Sequence, residues 1–252
     1  MATTNTKYFA VGQGKVYIAP RDSTGIIGGW THVGDCDGFE ITTAQQFLDI
    51  QESMSGNRAT VVHVPTSTDY SLSVSVLNID GKNLERALYG EASTQAGATV
   101  TGEAITAYAG SQANLKYPGV SAVTVKKGAT TLVAGTDYTL DADFGTLTFL
   151  SGSTQVTGTS GVALTVDYTH GGYTSKVKAF TQGMKDYALR FEGKSIVDGL
   201  VQIGTVHRAA LDMTKTLSLI GTGVNKLAVT GKLLPAADQP AGESQFFTYI
   251  QK

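Results

Sequence analysis

The chain has 252 residues, enough for one large domain or two smaller ones that each bury a core. Its 30 glycines, 5 prolines and 16% charged residues favour many short strands joined by glycine-containing turns, so we expect an all-β protein. The formal net charge of -2 disfavours a protein that binds nucleic acid or anionic membranes through bulk electrostatics.

The cellular compartment is indicated by cysteine usage and hydropathy. A single cysteine, Cys36, cannot form an intramolecular disulfide, which fits a reducing cytoplasm. The N-terminus has no basic start followed by an apolar run. No later stretch is apolar for the roughly 18 residues that a membrane helix needs. We expect cytoplasmic synthesis and no membrane partner.

Strand patterns open the chain. The first predicted strand spans residues 15–20, a second segment surrounds Trp30, and a third strand begins at Phe39. Residues 70–76 alternate strictly: Tyr70, Leu72, Val74 and Val76 lie on one face, and three serines lie on the other. This period of two is typical of a half-buried strand. One sheet face is expected to be core and the other polar.

One short helix is predicted over residues 82–89. Asp80 is placed to cap its N-terminus, and Leu84, Ala87 and Leu88 repeat with the helical period. Gly90 is expected to end the helix in the left-handed conformation. Two turns are marginal alone, so we expect the apolar stripe to dock on a sheet.

A separate module is predicted in the middle of the chain. Residues 90–97 are small and polar and suggest a linker. Strand patterns at short spacing follow over residues 99–169, with turn residues between them. We expect an inserted Ig-like β module at 97–175 in a discontinuous core domain formed by 1–96 and 176–252.

The core pattern resumes near Tyr187 and ends in an aromatic patch. Residues 235–242 are rich in Pro, Ala and Gly, and Phe246, Phe247 and Tyr249 follow them. A solvated, disordered tail would not usually carry such a patch. We expect this C-terminal arm to dock on the body of the protein or on a neighbouring subunit.

No catalytic, cofactor-binding or metal-binding constellation is found. The 4 histidines (His32, His63, His170 and His207) lack metal-ligand spacing. The segment Gly12-Gln13-Gly14-Lys15 superficially resembles a phosphate-binding loop. It lacks the four-residue spacing between glycines and the Gly-Lys-Ser/Thr ending of such a loop. Two carboxylate pairs, Asp35 with Asp37 and Asp141 with Asp143, are better explained as turn residues than as calcium ligands. Cys36 is better explained as a buried apolar residue than as a nucleophile. We expect a protein that is not an enzyme and needs no cofactor.

Residues 44–58 form a polar excursion with isolated apolar residues. A loop of about fifteen residues in a β protein whose other connections are short is usually functional or disordered. The apolar side chains of Phe47, Leu48, Ile50 and Met54 cannot all be buried by a simple hairpin of their own. One interpretation is a flexible hairpin. The other is a loop that becomes ordered against a partner subunit.

The order of these motifs resembles the tail tube (major tail) protein of long-tailed bacteriophages. The resemblance rests on the strand at 14–19, the segment 33–41, the excursion that closes with Ser55-Gly56-Asn57-Arg58, the strand at 72–76, the helix at 83–90, and the segments 206–211 and 227–233. Together they span most of the chain outside the insert, and each motif alone is weak.

The resemblance implies a tail-tube-type β-sandwich whose copies form hexameric rings stacked into a hollow tube. Neighbouring subunits would share an inner β-barrel, and the long loop and terminal arms would join successive rings. On this view the subunit contacts are Phe47, Leu48, Ile50, Met54, Asn57 and Arg58 in the loop, and Phe246, Phe247 and Tyr249 in the C-terminal arm. The insert would decorate the outside or supply ring contacts.

The same resemblance implies partners and a location. The partners would be other copies of the chain, the tape-measure and tail-terminator proteins, and the baseplate or tail-tip proteins, all in the tail of the virion. Phage DNA would pass through the lumen during genome ejection without specific binding. A neutral or acidic lumen is expected, because each Lys or Arg bound to phosphate adds affinity along the duplex.

Three alternatives remain open at this point. A secretion-system tube protein would share the fold, although it is normally smaller and lacks the insert. An extracellular Ig-like binding module is disfavoured by the lone Trp30 and the missing signal peptide. A hydrolase hidden in the sandwich has no supporting motif.

Overall fold

The structure, a computed structural model, describes residues 12–54, 56–158, 160–197 and 199–252. Strands make up 57% of the chain and helix 3%, so the all-β expectation is confirmed. The chain forms two compact units, one of Met1–Ala92 with Val177–Lys252 and one of Ser93–Lys176. The described strands are β1 (Gly12–Arg21), β2 (Thr31–His32), β3 (Cys36–Gln51), β4 (Thr60–Val76), β5 (Glu91–Ala107), β6 (Gln112–Asn114), β7 (Val120–Lys127), β8 (Thr130–Thr131), β9 (Tyr138–Asp141), β10 (Thr146–Phe149), β11 (Val162–Lys178), β12 (Asp186–Ser195), β13 (Val201–Leu211), β14 (Leu227–Leu233) and β15 (Phe247–Gln251).

The first unit is built on one antiparallel sheet of eight strands. Its order is β2, β1, β12, β13, β14, β4, β3, and β15 pairs with β13 beside this path. The alternation of residues 70–76 in β4 and of all of β14 gives alternately buried and more exposed side chains. Cross-strand partners such as Ile41 and Leu72 share the core face, as the alternation predicts.

The sheet curls so that its two ends approach each other. The backbone N–H of Val33 donates to Val16 O at 3.1 Å, beside the first end of the sheet. Two residues later, Asp35 O accepts from Leu77 N at 2.8 Å, beside the other end. The concave side therefore encloses one apolar cluster. Its fully buried members include Leu72, Leu189 and Val206.

A short helix, α1 (Gly81–Ala87), packs against this cluster through Ala87 and Leu84. Asp80 caps it as expected, because its Oδ1 accepts from Asn83 N at 2.7 Å. The expectation for Gly90 is wrong: Tyr89 takes the left-handed conformation, with φ of 46°. Gly90 is required for a different reason, since a Cβ there would lie 2.8 Å from Lys178 O.

The second unit consists of two small antiparallel sheets. One has the order β6, β10, β9, and the other has the order β5, β11, β7, β8. One apolar cluster fills this unit, and its fully buried rings are Tyr168 and Phe149. The linker expected at 90–97 is strand instead, because β5 begins at Glu91 and hydrogen-bonds to β11.

Candidate functional site

The candidate site is the outer part of the hairpin formed by β3 and β4. Pairing continues from Cys36 with Val76 as far as Gln51 with Thr60, so the described residues of the connecting turn are 52–54 and 56–59. The expected fifteen-residue loop at 44–58 is therefore wrong for residues 44–51, which belong to β3. Their sequence does not alternate strictly, but residues 60–69 supply the backbone partners that hold it extended. We call residues 44–69 the arm.

A β-bulge at the base of the arm reverses the alternation of β4. Gln46 pairs with Ser67, whereas the next residue, Phe47, pairs with Pro65, so Thr66 is the extra residue. The hydroxyl of Thr66 donates to Gln46 O at 3.1 Å. Even-numbered residues of β4 face the core in the body of the sheet. In the arm, beyond the bulge, even-numbered residues face the opposite side of the sheet.

One face of the arm is aliphatic. Leu48 pairs with Val64, and Ile50 pairs with Val62, so the register places all four side chains on one face. Their exposed fractions are 53% for Leu48, 46% for Val64, 48% for Ile50 and 38% for Val62. This face continues the polar side of the sheet. The arm therefore exposes hydrocarbon where the body exposes hydroxyl groups.

The other face of the arm carries an aromatic pair and a hydrogen bond between a histidine and an aspartate. The rings of Phe47 and His63 stack with centroids 4.2 Å apart. His63 Nδ1 lies 2.5 Å from Asp49 Oδ1, the neighbour of Phe47 on the same face. Stacking and pairing hold these side chains against the hairpin although they remain exposed.

The loop residues expected from the sequence divide between the strand and the turn. Phe47, Leu48 and Ile50 are exposed on β3, and Met54 in the turn is 94% exposed. Asn57 and Arg58 also lie in the turn, where Arg58 has a φ of 48°. Ser55, part of the motif that closes the excursion, lies outside the described residues. That these residues contact another subunit stays a prediction.

The sequence interpretation missed the contribution of β4 to the arm. Val62 and Val64 are 38% and 46% exposed, comparable to the residues expected on β3, yet no contact residue was expected on this strand. The alternation of Val62, His63 and Val64 was the available signal. It shows two faces but does not reveal that both remain open to solvent.

The C-terminal aromatic residues dock on their own chain. β15 pairs with β13 from Phe247 opposite Val206 to Gln251 opposite Gln202. Phe246 packs on Tyr70 with ring centroids 4.7 Å apart. Phe247 also packs against the core, whereas Tyr249 remains 51% exposed. A subunit contact through these residues is likewise still a prediction.

The polar face of the sheet is rich in hydroxyl groups. Ser73 lies between Glu40 and Thr230 in adjacent strands, and Thr42 pairs with Ser71. Charges of both signs share this face as ion pairs. Lys232 Nζ lies 3.5 Å from Asp69, and Arg190 Nε lies 2.6 Å from Glu192. The face therefore has no large patch of one sign in this region.

The histidine, cysteine and aspartate side chains considered for catalysis or metal binding have ordinary structural roles where the structure describes them. Within the described ranges, no group of three or more His, Cys, Asp or Glu residues could hold a metal ion. His170 stacks on Tyr117 with centroids 4.0 Å apart. Burial, and to a lesser extent Asp35, raises the pKa of the Cys36 thiol, which disfavours the reactive thiolate. Asp37 pairs with Lys226.

Of the helices in the described part of the chain, none has the length and hydropathy needed to cross a membrane.

Comparison with known proteins gives a family but no relative with a described activity. No curated protein matches the chain. Residues 9–250, almost the whole sequence, match the family described as "Protein of unknown function UCP028589". The chain belongs to this family.

Proposed function

We propose that the chain is a structural subunit that polymerises, and specifically a tail tube protein of a long-tailed bacteriophage whose hexameric rings stack into a hollow tube. The observation that carries this proposal is the arm, an ordered hairpin with an exposed aliphatic face. The motif order set out from the sequence supplies the more specific part of the proposal.

The exposed face has a clear energetic consequence. Burying a Val, Leu or Ile side chain fully is worth roughly 1.5–3 kcal/mol, and four such side chains are partly exposed together on one face of the arm. Contiguous apolar surface of this kind marks an interaction site more often than an accident of packing. A partner that covers the face would recover this free energy, and another copy of the chain is always available as that partner.

The polar face of the sheet suits the lining of a DNA channel. Tight binding to phosphate would require accumulated Lys and Arg side chains, since each contact adds affinity and salt dependence. Here hydroxyl groups alternate with ion-paired charges, and the whole chain carries a formal net charge of -2. Such a lining would let DNA slide past without holding it.

The remaining parts of the proposal follow from this assembly. An inner β-barrel shared between neighbours would cover the exposed edges of the sheet, and head-to-tail stacking would propagate as an open filament. The second unit would act as an Ig-like decoration or an additional ring contact. Tape-measure, tail-terminator and baseplate or tail-tip proteins would be the other partners in the virion.

Electron microscopy of the purified chain tests the proposal. We expect rings or tubes with a central hole in the wild-type protein. Replacement of residues 47–66 by Asn-Gly closes the hairpin at Gln46 and Ser67 with a favoured two-residue turn, and should leave a folded monomer.

A matched substitution controls for the loss of exposed apolar surface in general. Phe144→Asp changes a 74% exposed aromatic residue in the second unit and should still assemble, whereas Phe47→Asp should not. A wild-type protein that stays monomeric at high concentration would refute the proposal. Tubes that form normally without the arm would refute the role of the arm.

A further inference from the structure

A groove on the concave side of the first unit contains a buried amide nitrogen that has no hydrogen-bond partner among the described residues. The groove has a volume of about 390 Å³ and is lined by Phe39, Ile41, Phe191, Gln202, Gly204, Phe247 and Tyr249. The register places these side chains on the core face of the sheet. We call it the aromatic groove.

The walls of the aromatic groove are apolar and close-packed at their base. Phe39 and Phe191 stack with centroids 6.1 Å apart. Gly204 makes room for the ring of Phe247, since a Cβ at this position would lie 3.2 Å from that ring. Tyr249 stands at the rim, half exposed.

Gln202 is the unusual member of the groove. It is only 3% exposed, and its Nε2 has no hydrogen-bond partner in the described part of the chain. A buried donor without an acceptor is destabilising, so an apolar residue would serve the isolated chain better. The amide therefore indicates an occupant that brings an acceptor to the groove.

The arm of the same molecule cannot be that occupant. Leu48 lies seven residues beyond Ile41 on one strand, or about 23 Å at the usual strand rise. The aliphatic face of the arm also lies on the opposite side of the sheet from the groove. Neither the distance nor the opposite facing excludes the arm of a second copy.

We propose that the aromatic groove receives the aliphatic face of the arm from a second copy of the chain. A backbone carbonyl on the free edge of the incoming hairpin accepts a hydrogen bond from Gln202 Nε2. In the described residues, β4 pairs with β14 only from Ser71 onward, so the β4 edge of the arm has unpaired carbonyl groups. Arm and groove are different surfaces, so the contact repeats from copy to copy unless two molecules exchange arms in a closed dimer. The inference deepens the proposed function and rests on it.

Gln202→Met tests the role of the amide. The substitution preserves the approximate length of the side chain and removes the unpartnered donor. We expect unchanged or higher resistance to urea, together with an assembly concentration that is about two- to tenfold higher, the cost of one hydrogen bond. A residue with a purely structural role would change the unfolding curve and leave the assembly of the folded chain unchanged.

Cross-linking tests whether arm and groove meet. In a Cys36→Ser background, Val64→Cys protein is mixed with Tyr249→Cys protein and treated with a short bismaleimide. We expect a cross-linked dimer from this mixture and none from Val64→Cys mixed with Phe144→Cys. Dimers formed by Tyr249→Cys protein alone would show that the groove meets another groove, and would overturn the proposal.

The outcomes separate this inference from the proposed function. Tubes that form with unchanged assembly in Gln202→Met, and without the mixed cross-link, would overturn the groove contact and leave the tube proposal standing. A mixed cross-link in closed dimers that never form tubes would support the contact and refute the tube. A strictly monomeric wild-type protein would overturn both.

Discussion

Phe47 and His63 stack nearly parallel across the arm, with 15° between their ring planes. Both side chains are exposed, and His63 also pairs with Asp49. The stack therefore keeps two rings in fixed positions on a surface that has no core beneath it. This is the arrangement expected of a contact surface that is ordered before its partner arrives.

The first prediction concerns this stack. A double-mutant cycle of Phe47→Ala and His63→Ala should give a coupling free energy of about 0.5–1.5 kcal/mol for unfolding, the range for paired aromatic rings. Urea unfolding followed by the fluorescence of Trp30, the only tryptophan, reports on the first unit. Strictly additive effects of the two substitutions would contradict a stabilising stack. Assembly should weaken in each single variant, since both substitutions disturb the face of the arm that carries the stacked rings.

The second prediction compares two leucines of one hairpin. Leu72 is 1% exposed in the body of the sheet, so Leu72→Ala should cost about 2–5 kcal/mol of unfolding free energy. Leu48 is half exposed in the arm, so Leu48→Ala should cost less than about 1 kcal/mol and should impair assembly instead. The same urea titration and sedimentation of the folded proteins measure both. An equal loss of stability in the two variants would show that the arm belongs to the core.

The third prediction concerns pH and the second unit. The Ser153 hydroxyl donates to Asp137 at 2.6 Å and Val133 N donates at 2.9 Å; these bonds, the Ser153 bond above all, lower the pKa of Asp137 from its usual 3.8. A lowered folded pKa means that the unfolded chain binds more protons in the window between the two values. The stabilisation is therefore complete above about pH 3.8 and is lost as pH falls through the folded pKa.

Asp137→Asn should consequently destabilise the protein near neutral pH, with the difference from wild type shrinking below pH 3.8. Thermal unfolding of the full chain at several pH values measures this difference. Ser153→Ala removes the main hydrogen bond from its other end and should show the same convergence. A gap that does not depend on pH would mean that ionisation of Asp137 is not the cause.

Much of the fold could be predicted from local patterns. The alternation in β4 and the capping residue Asp80 are short-range signals, and the structure confirms both. The first part of β5, residues 91–97, was missed because its small polar residues favour a linker when considered alone. Pairing with β11, which is distant in sequence, decides its conformation.

The arm shows what local patterns cannot supply. Its apolar residues identified it as a place of interest, but the sequence could not distinguish a loop from a hairpin with bulges. The bulge at Thr66 depends on the register between two strands, and a shift of one residue exchanges the faces. The aromatic groove was beyond sequence analysis for a similar reason, because it joins residues from β3, β12, β13 and β15.

The bulge at Thr66 also separates the reach of the arm from the stability of the body. Beyond it, adding two residues to each strand would lengthen the hairpin by about 7 Å and preserve which side chains share a face. The core pairs below it, such as Ile41 with Leu72, would be unaffected. Related chains could thus adjust the spacing between joined molecules in fixed increments, without redesigning the fold that carries the hairpin.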